Sequence, residues 1–357
     1  MLRIGTPEEA GLSAERLNRA FRLLERWTEE GKVPGAAIAV ARSGVLVEPR
    51  GFGRMALEEQ AAPLLPDAIF LVASVTKPVT AAAAMRLVEE GQLSLNDRVA
   101  DLVPEFGNRG KEAITVRHLL THTSGLPDMV PANRALRMQH ADLKTFIQHI
   151  CDGNLLFPPG TNVSYQSTGI AMLGEIVERI TAMPLREYMR KTFFEPMGME
   201  GTSLGACSDR IHRIALVRIP ADQQGTDWHW NSPYWWNFGA PWGGMFSTVR
   251  DMAVFLQLFL ERGRYGDRSI LSPRTVRAMI TDQIRPMAHI PESVKCTQAW
   301  GLGWHLKEGG DLTFGHGGAT GTVVWADPEE QLICVIFTTQ PGAPLHYCSN
   351  TVAGAVL

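Results

Sequence analysis

The sequence predicts a mixed α/β (α+β) chain, in which both chain ends contribute to one antiparallel sheet and a mostly helical segment lies between them. Near the N-terminus, residues 34–53 contain two short apolar runs around an Arg-Ser-Gly turn. Near the C-terminus, residues 302–339 contain short apolar runs joined by tight turns, which is typical of an antiparallel meander. Between these regions apolar residues recur at a helical spacing.

The predicted elements follow one another in a simple order. A first amphipathic helix begins after Ser13, a typical N-cap residue, and the hairpin follows it. After the helical segment, a helix over residues 248–263 leads to the meander, which includes a strand over residues 311–318. A final helix begins near Pro344 and is expected to pack on the sheet.

Length and composition limit the possible classes of protein. A chain of 357 residues is large for a single core, so we expect a sheet domain formed by residues 1–72 and 241–357, and a mostly helical domain formed by residues 73–240. A formal net charge of -3 argues against nucleic-acid binding. No apolar run approaches the roughly 18 residues of a membrane span, and the N-terminus has no apolar signal segment. The expected location is cytoplasmic, or periplasmic if a leader has been removed.

The cysteines and histidines predict no disulfide framework, metal site or cofactor. Five scattered cysteines without a Cys-x-x-Cys pair suit reduced thiols. His118 and His122 have the i, i+4 spacing of zinc ligands, but no glutamate follows His118 as it does in zinc proteases. We therefore expect both histidines to have structural roles.

A serine and a lysine stand one helical turn apart in the segment LVASVTKPVT, residues 71–80. Residues at i and i+3 share a helix face, so the side chains of Ser74 and Lys77 can meet. Pro78 requires the helix to begin close to Ser74, where free N–H groups can stabilise an oxyanion. A lysine in apolar surroundings can act as the base for a serine nucleophile. The alternative is a helix-capping serine beside a lysine whose amine reaches solvent.

Two later segments make this pattern more specific. PPGTNVSYQSTG contains Tyr165 and Ser167 at the start of a predicted helix, and FGHGGATG contains His316, Gly317 and Gly318 where a strand ends. Together with the Ser-x-x-Lys segment, these motifs resemble the serine β-lactamase and penicillin-binding-protein superfamily. The resemblance is to the branch that contains class C β-lactamases, D-amino-acid peptidases and related esterases, and it extends over nearly the full length.

The resemblance implies a fold and a mechanism. The fold is a β-lactamase-like three-layer sandwich around the central sheet. Ser74 attacks the substrate carbonyl, and Lys77 and the Tyr165 hydroxyl transfer its proton toward the leaving group, so that an acyl-enzyme forms. The backbone N–H groups of Ser74 and Ala319 form the oxyanion hole.

The substrate-binding positions depart from the family pattern at two places. His316 replaces a lysine that anchors a substrate carboxylate, and Ser167 replaces an asparagine that binds substrate amides. Gly317 and Gly318 leave bare backbone beside the substrate. Hydrolysis of anionic substrates is expected to become more efficient, relative to that of neutral substrates, as His316 becomes protonated between about pH 6 and 7.

Both departures favour a carboxylesterase that acts on small to medium hydrophobic acyl groups. Two alternatives stay open: a β-lactamase or D-amino-acid peptidase or amidase, and a non-catalytic penicillin-recognising protein. The expected partner is a small-molecule ester or amide. The sequence makes no prediction of the oligomeric state.

A second serine and a tryptophan cluster need separate interpretation. Ser203 lies in a Gly-x-Ser-x-Gly segment, but no apolar strand precedes it and no clear helix follows it, so a loop serine is expected. Tryptophans are concentrated in residues 228–242. They either anchor a large loop or form an apolar wall beside the substrate, with Trp242 as the candidate binding residue.

Overall fold

The structure is a computed structural model, and it describes residues 1–306 and 313–357. The strands are β1 (Arg3–Gly5), β2 (Gly35–Arg42), β3 (Val45–Gly53), β4 (Phe70–Leu71), β5 (Ser203–Leu204), β6 (Met245–Ser247), β7 (Arg264–Tyr265), β8 (Arg268–Ser269), β9 (His305–Leu306), β10 (Phe314–Gly318), β11 (Thr322–Asp327) and β12 (Leu332–Thr338).

The helices in the same part of the chain are α1 (Ala14–Glu29), α2 (Thr76–Glu89), α3 (Val99–Leu102), α4 (Val116–Leu120), α5 (Asn133–Met138), α6 (Leu143–Cys151), α7 (Ser167–Thr181), α8 (Leu185–Met189), α9 (Glu195–Met197), α10 (Pro233–Phe238), α11 (Val249–Leu260), α12 (Pro273–Met279), α13 (Glu292–Lys295) and α14 (Leu345–Ala353). None of these helices has the length and apolar character that a membrane span needs.

The main sheet joins the two ends of the chain, as predicted. Its strand order is β1-β3-β2-β12-β11-β10-β9, and β12 pairs with β2 along its whole length. One pairing differs from the prediction, because β1 runs parallel to β3 and makes the sheet mixed. Helix α1 separates β1 from β2, so no hairpin turn sets the direction of β1. The strand expected over residues 311–318 begins at Phe314, and Asp311 and Leu312 lie outside the described residues.

Helices cover both faces of the sheet, which gives the three layers that the resemblance implied. Side chains alternate between the faces along a strand, so β2 contributes to two cores. Ala36, Ile38 and Val40 of β2 pack against α1 and α14. The intervening alanines pack on the other face, where α11 lies. These observations confirm the predicted fold class.

The segment that leads into Ser74 lies between the small sheet and the main sheet. Strand β4 pairs with β6 in a short sheet of order β4-β6-β5. The Thr320 hydroxyl donates to the carbonyl oxygen of Leu71 at 2.6 Å, and the Thr322 hydroxyl donates to that of Val72 at 2.9 Å. A Cβ atom on Gly318 would lie only 2.3 Å from the Val72 oxygen. The C-terminal meander therefore holds the chain just before Ser74.

Helix α2 is buried on almost every side, as its apolar sequence predicts. Ala81 to Ala84 are completely buried, and the helix packs against α7 and α8. The Thr80 hydroxyl donates to the carbonyl oxygen of Pro241 at 2.6 Å, which satisfies a polar group in this apolar region. The helix thus provides a rigid support for the residues at its N-terminus.

Candidate active site

Ser74 lies in a 3₁₀ turn, Ala73–Val75, directly before α2. The sequence predicted a helix start close to Ser74, and the α-helix begins at Thr76. Pro78 lies in the first turn, where its missing N–H removes no helical hydrogen bond. Ala73 has a φ of 47°, in the left-handed region that alanine seldom adopts. Such backbone strain persists only where the surroundings hold it, as the bonds from the meander do here.

Lys77 is completely buried and contacts Ser74 directly. Its Nζ lies 3.0 Å from Ser74 Oγ and donates to the carbonyl oxygen of Trp242, also at 3.0 Å. Burial lowers the pKa of Lys77 to about 7, and the carboxylate of Asp128 opposes this decrease. A neutral amine is therefore accessible near pH 7, and it can accept the proton of Ser74.

Tyr165 lies against the same pair of residues. Lys77 Nζ is 4.6 Å from the centroid of its ring. Burial raises the pKa of Tyr165 above its ordinary value, although the nearby Ser74 hydroxyl opposes this increase. The surroundings therefore move the pKa values of Lys77 and Tyr165 in opposite directions. Lys77 is suited to accept a proton, and Tyr165 is suited to donate one.

His122 holds the residues on both sides of Tyr165. Its carbonyl oxygen accepts from the N–H of Ser164 at 2.9 Å, and its Nδ1 accepts from the N–H of Gln166 at 3.2 Å. Its ring centroid lies 4.9 Å from that of Tyr165 and 4.3 Å from that of Trp300. Burial holds the pKa of His122 well below its usual value, which fits an accepting Nδ1. His122 thus has the expected structural role, and that role is to position Tyr165. The i, i+4 spacing with His118 did not indicate this contact.

His316 is a buried, neutral residue. Its Nδ1 donates to the carbonyl oxygen of Gly317 at 2.7 Å, because a carbonyl can only accept. Burial lowers the pKa of His316 to about 3, and the charge of Lys77 lowers it as well. The expected protonation between pH 6 and 7 is therefore wrong. Its Nε2 is a buried acceptor for which residues 1–306 and 313–357 supply no partner.

The edge of β10 beyond Gly315 is open to a ligand. Strand β9 pairs with β10 only at Phe314 and Gly315, so no described strand covers that edge at residues 316–318. Gly317 and the following Ala319 are exposed. A Cβ atom on Gly318 would lie 3.3 Å from the Cβ of Ala73, so the end of β10 and the turn of Ser74 are neighbours. An oxyanion hole formed by the N–H groups of Ser74 and Ala319 stays a prediction.

Ser167 contacts Asp128, which the sequence analysis missed. The Ser167 hydroxyl donates to Asp128 Oδ1 at 2.7 Å, and its N–H donates to the same oxygen at 2.8 Å. The carbonyl oxygen of Asp128 also accepts from the N–H groups of Ser167 and Thr168, both at 3.1 Å. Asp128 therefore satisfies free N–H groups at the start of α7. We expected the Ser167 hydroxyl to contact the substrate, but it is bonded to Asp128 instead.

Trp242 contributes its backbone to the site, whereas its ring lies in the core. The ring is only 6% exposed and packs against Phe146 and Phe238, with centroid distances of 6.1 and 5.8 Å. The expectation that this side chain binds substrate is therefore wrong. The physical reason is the aromatic cluster around α10, which buries the ring and leaves the carbonyl oxygen to bind Lys77.

Trp300 lies beside Tyr165, with ring centroids 5.9 Å apart, and Trp325 lines the same cleft. Trp300 and Trp325 line an open cleft of about 490 Å³, together with Tyr165, His316 and Val323. Cross-strand pairing places Trp325 opposite Gly315, so the bare glycine leaves space next to the indole ring. The sequence analysis missed both residues, because they stand singly and outside the tryptophan-rich segment. The cleft can accept a hydrophobic group of a substrate.

The other candidates have structural roles. Ser203 lies in the two-residue strand β5, and its hydroxyl donates to the carbonyl oxygen of Gly205 at 2.6 Å. A 3₁₀ turn, Ser208–Arg213, follows instead of the helix that a nucleophile elbow needs. His118 Nδ1 accepts from the N–H of Thr115 and caps α4.

Known proteins resemble the chain over nearly its whole length. The model of the Beta-lactamase family matches residues 20–355. A provisionally named D-alanyl-D-alanine carboxypeptidase of Salmonella enteritidis PT4 is 27% identical, over 97% of this chain and 87% of its own. The octameric penicillin-binding protein homologue of Pyrococcus abyssi is 27% identical with a TM-score of 0.78, over 95% of this chain and 76% of its own.

A family VIII carboxylesterase shares the fold, with a TM-score of 0.78 and 21% identity over 97% of this chain and 98% of its own. The family match spans nearly all of the chain, and the relatives cover it from end to end. The chain therefore belongs to the Beta-lactamase family and is a serine hydrolase.

Proposed function

We propose that the protein is a carboxylesterase that forms an acyl-enzyme at Ser74 with esters of small to medium hydrophobic acids. The observation that carries this proposal is the 3.0 Å contact between Lys77 Nζ and Ser74 Oγ. In this contact burial lowers the pKa of the lysine to about 7, so that its neutral form is accessible near pH 7. A neutral amine at this distance is a base for the serine hydroxyl.

Acylation uses the opposite pKa shifts of Lys77 and Tyr165. Ser74 Oγ attacks the ester carbonyl while its proton passes to Lys77. The N–H groups of Ser74 and Ala319 bind the oxyanion. The Tyr165 hydroxyl gives its proton to the departing alkoxide and regains one from the Lys77 ammonium. The products are the alcohol and an acylated Ser74, and no net proton is gained or lost.

Deacylation runs through the same groups in reverse. A water molecule attacks the acyl carbon, and its proton passes to Lys77 through Tyr165. The tetrahedral intermediate then collapses, Ser74 Oγ leaves, and it receives a proton from Lys77. The free acid is released, and the site returns to its starting protonation state.

Three features of the site favour esters over anionic amides. His316 is neutral and offers no cation to a substrate carboxylate. The Ser167 hydroxyl is bound to Asp128 and does not replace an amide-binding asparagine. The cleft beside Trp300 and Trp325 is lined with apolar groups. An ester also has a better leaving group than an amide, so it needs less transition-state stabilisation from binding.

A second candidate is a D-amino-acid peptidase or amidase, or a β-lactamase. The 27% identity to a protein provisionally named a D-alanyl-D-alanine carboxypeptidase favours it. A non-catalytic penicillin-recognising protein is a third candidate, but the direct contact of Lys77 with Ser74 argues against it.

The test is a substrate panel combined with covalent labelling. Aryl esters, a chromogenic cephalosporin and D-aminoacyl amides are compared by kcat/KM on one preparation. A fluorophosphonate probe is applied to the wild type, Ser74→Ala and the matched Ser203→Ala. We expect labelling and ester turnover to be lost only in Ser74→Ala, with aryl esters at least about a hundredfold better than the cephalosporin. Labelling that depends on Ser203, or faster amide turnover, contradicts the proposal, and a burst without turnover supports the binding protein.

A further inference from the structure

Asp128 places an exposed carboxylate beside the buried site. Its Oδ1 is fixed by the N–H and the hydroxyl of Ser167, two residues after Tyr165 in the chain. Its charge acts on both Lys77 and Tyr165, and it raises the pKa of each. The bonds to Ser167 place Asp128 beside the segment that carries Tyr165, so its charge can act on a substrate bound there.

Asp128 forms no salt bridge in the part of the chain that the structure describes, although its charge acts on Lys77 through space. Its hydrogen bonds are with Ser167 and Thr168, which are neutral residues. Lys77 Nζ is bound to Ser74 Oγ and to the carbonyl oxygen of Trp242 instead. No salt bridge within the described residues therefore competes with a cationic ligand for this carboxylate.

The orientation of the carboxylate leaves one oxygen for a ligand. The N–H and the hydroxyl of Ser167 both donate to Oδ1, whereas Oδ2 of this exposed residue accepts no hydrogen bond from the described residues. Because two bonds fix the first oxygen, the second is held in place before a ligand arrives, which reduces the entropy lost on binding.

We propose that Asp128 binds a cationic group of the substrate, so that the enzyme prefers esters carrying an ammonium group near the scissile bond. This inference rests on the proposed function and names the substrate class within it. Esters with a free carboxylate near the scissile bond are disfavoured, because like charges repel and His316 offers no compensating cation.

The test compares isosteric ester pairs that differ only in charge. In the first pair, an aryl ester has an acyl chain that ends in trimethylammonium or in tert-butyl. In the second pair, butyric acid is esterified with choline or with the alcohol that ends in tert-butyl. Within each pair, the ratio of kcat/KM values cancels any effect of the protonation state of Lys77, since both esters meet the same free enzyme. We expect the cationic ester to be favoured about fivefold in at least one pair, as for a partly exposed ion pair.

The variant is Asp128→Asn, which keeps an acceptor for Ser167 and removes the charge. Asp142→Asn is the matched control, because Asp142 caps α6 through the N–H and hydroxyl of Thr145 at 2.9 and 2.7 Å. We expect Asp128→Asn to abolish the preference for the cationic ester and Asp142→Asn to keep it. The preference in the wild type should also decrease at high salt, which screens exposed charges.

The outcomes separate this inference from the proposed function. If the uncharged esters are hydrolysed through Ser74 but Asp128→Asn leaves both ratios unchanged, Asp128 does not bind the cation. If no ester is hydrolysed, the proposed function itself fails. If both ratios also decrease in Asp142→Asn, the preference depends on the overall charge of the protein and not on Asp128. That result would overturn the inference.

Discussion

The ring of His122 lies 4.9 Å from the ring of Tyr165, and His122 accepts hydrogen bonds from the backbone on both sides of that tyrosine. One acceptor is its carbonyl oxygen and the other is its Nδ1. This arrangement fixes the short segment before α7 from two directions. His122 is therefore a positioning residue for the proposed proton donor.

Replacing His122 with alanine removes the acceptor of the Gln166 N–H and part of the packing around Tyr165. We expect kcat for an alkyl ester to decrease at least about tenfold with little change in KM, because Tyr165 acts on the leaving group. His122→Asn should recover most of the activity. Its side-chain oxygen can accept the same bond, and asparagine tolerates the φ of 60° at this position.

His118→Ala is the control for that experiment, since His118 lies in the same segment and caps α4. It should lower the melting temperature while leaving kcat nearly unchanged. An equal loss of kcat in His122→Asn and His122→Ala would mean that the hydrogen bond to Gln166 has no part in positioning Tyr165.

The pH dependence should report Lys77. Its pKa of about 7 belongs to a group that must be neutral to accept the Ser74 proton. We therefore expect kcat/KM for an uncharged ester to rise about tenfold per pH unit below pH 7 and to level off above it. His316 should add no step there, because its pKa is about 3. The profile is measured between about pH 5 and 9, with roughly one point per half pH unit. A flat profile would exclude Lys77 as the base.

Tyr165→Phe removes one hydroxyl and almost no volume. We expect turnover of alkyl esters to decrease about a hundredfold or more, because alkoxides leave poorly without a proton. Aryl esters should lose less, since phenolates leave more easily. Comparing the two ester types on the folded variant tests the role of Tyr165 as proton donor. An equal loss for both would place its role elsewhere.

The cleft beside Trp325 should set the preference for acyl chain length. Each buried methylene contributes about 0.8 kcal/mol, so the two additional methylenes should raise kcat/KM for butyrate esters over acetate esters by up to about fifteenfold. Trp325→Ala should reduce this ratio by removing the wall of the cleft. Trp230→Ala, in the tryptophan-rich segment, should leave the ratio unchanged. If Trp230 rather than Trp325 controls the ratio, the acyl group binds against the tryptophan-rich segment.

Local contacts were predictable from the sequence, whereas burial and long-range contacts were not. The contact between Ser74 and Lys77 follows from helical spacing, and Tyr165 from its motif. Asp128 and Ser167 are 39 residues apart, and no periodicity joins them. The backbone carbonyl of Trp242 could not be identified from side-chain chemistry, because every residue carries one.

The protonation state of His316 also could not be predicted from the sequence. A histidine with its ordinary pKa near 6.5 was the reasonable expectation from sequence alone. Its actual pKa depends on burial and on the distance to Lys77, which only the folded chain determines. The open edge of β10 likewise depends on where β9 stops pairing.

The threonine bonds to Leu71 and Val72 also determine when the site can exist during synthesis. They join residues 249 and 250 positions apart, so the turn that carries Ser74 lacks its support until the last strands have been made. At roughly 5–20 residues per second, synthesis of the residues between Ser74 and these threonines takes on the order of ten seconds or longer. A nascent chain therefore carries the Ser-x-x-Lys segment long before it can act on an ester. Acylation of Ser74 would mark the moment at which Thr320 and Thr322 have reached this turn.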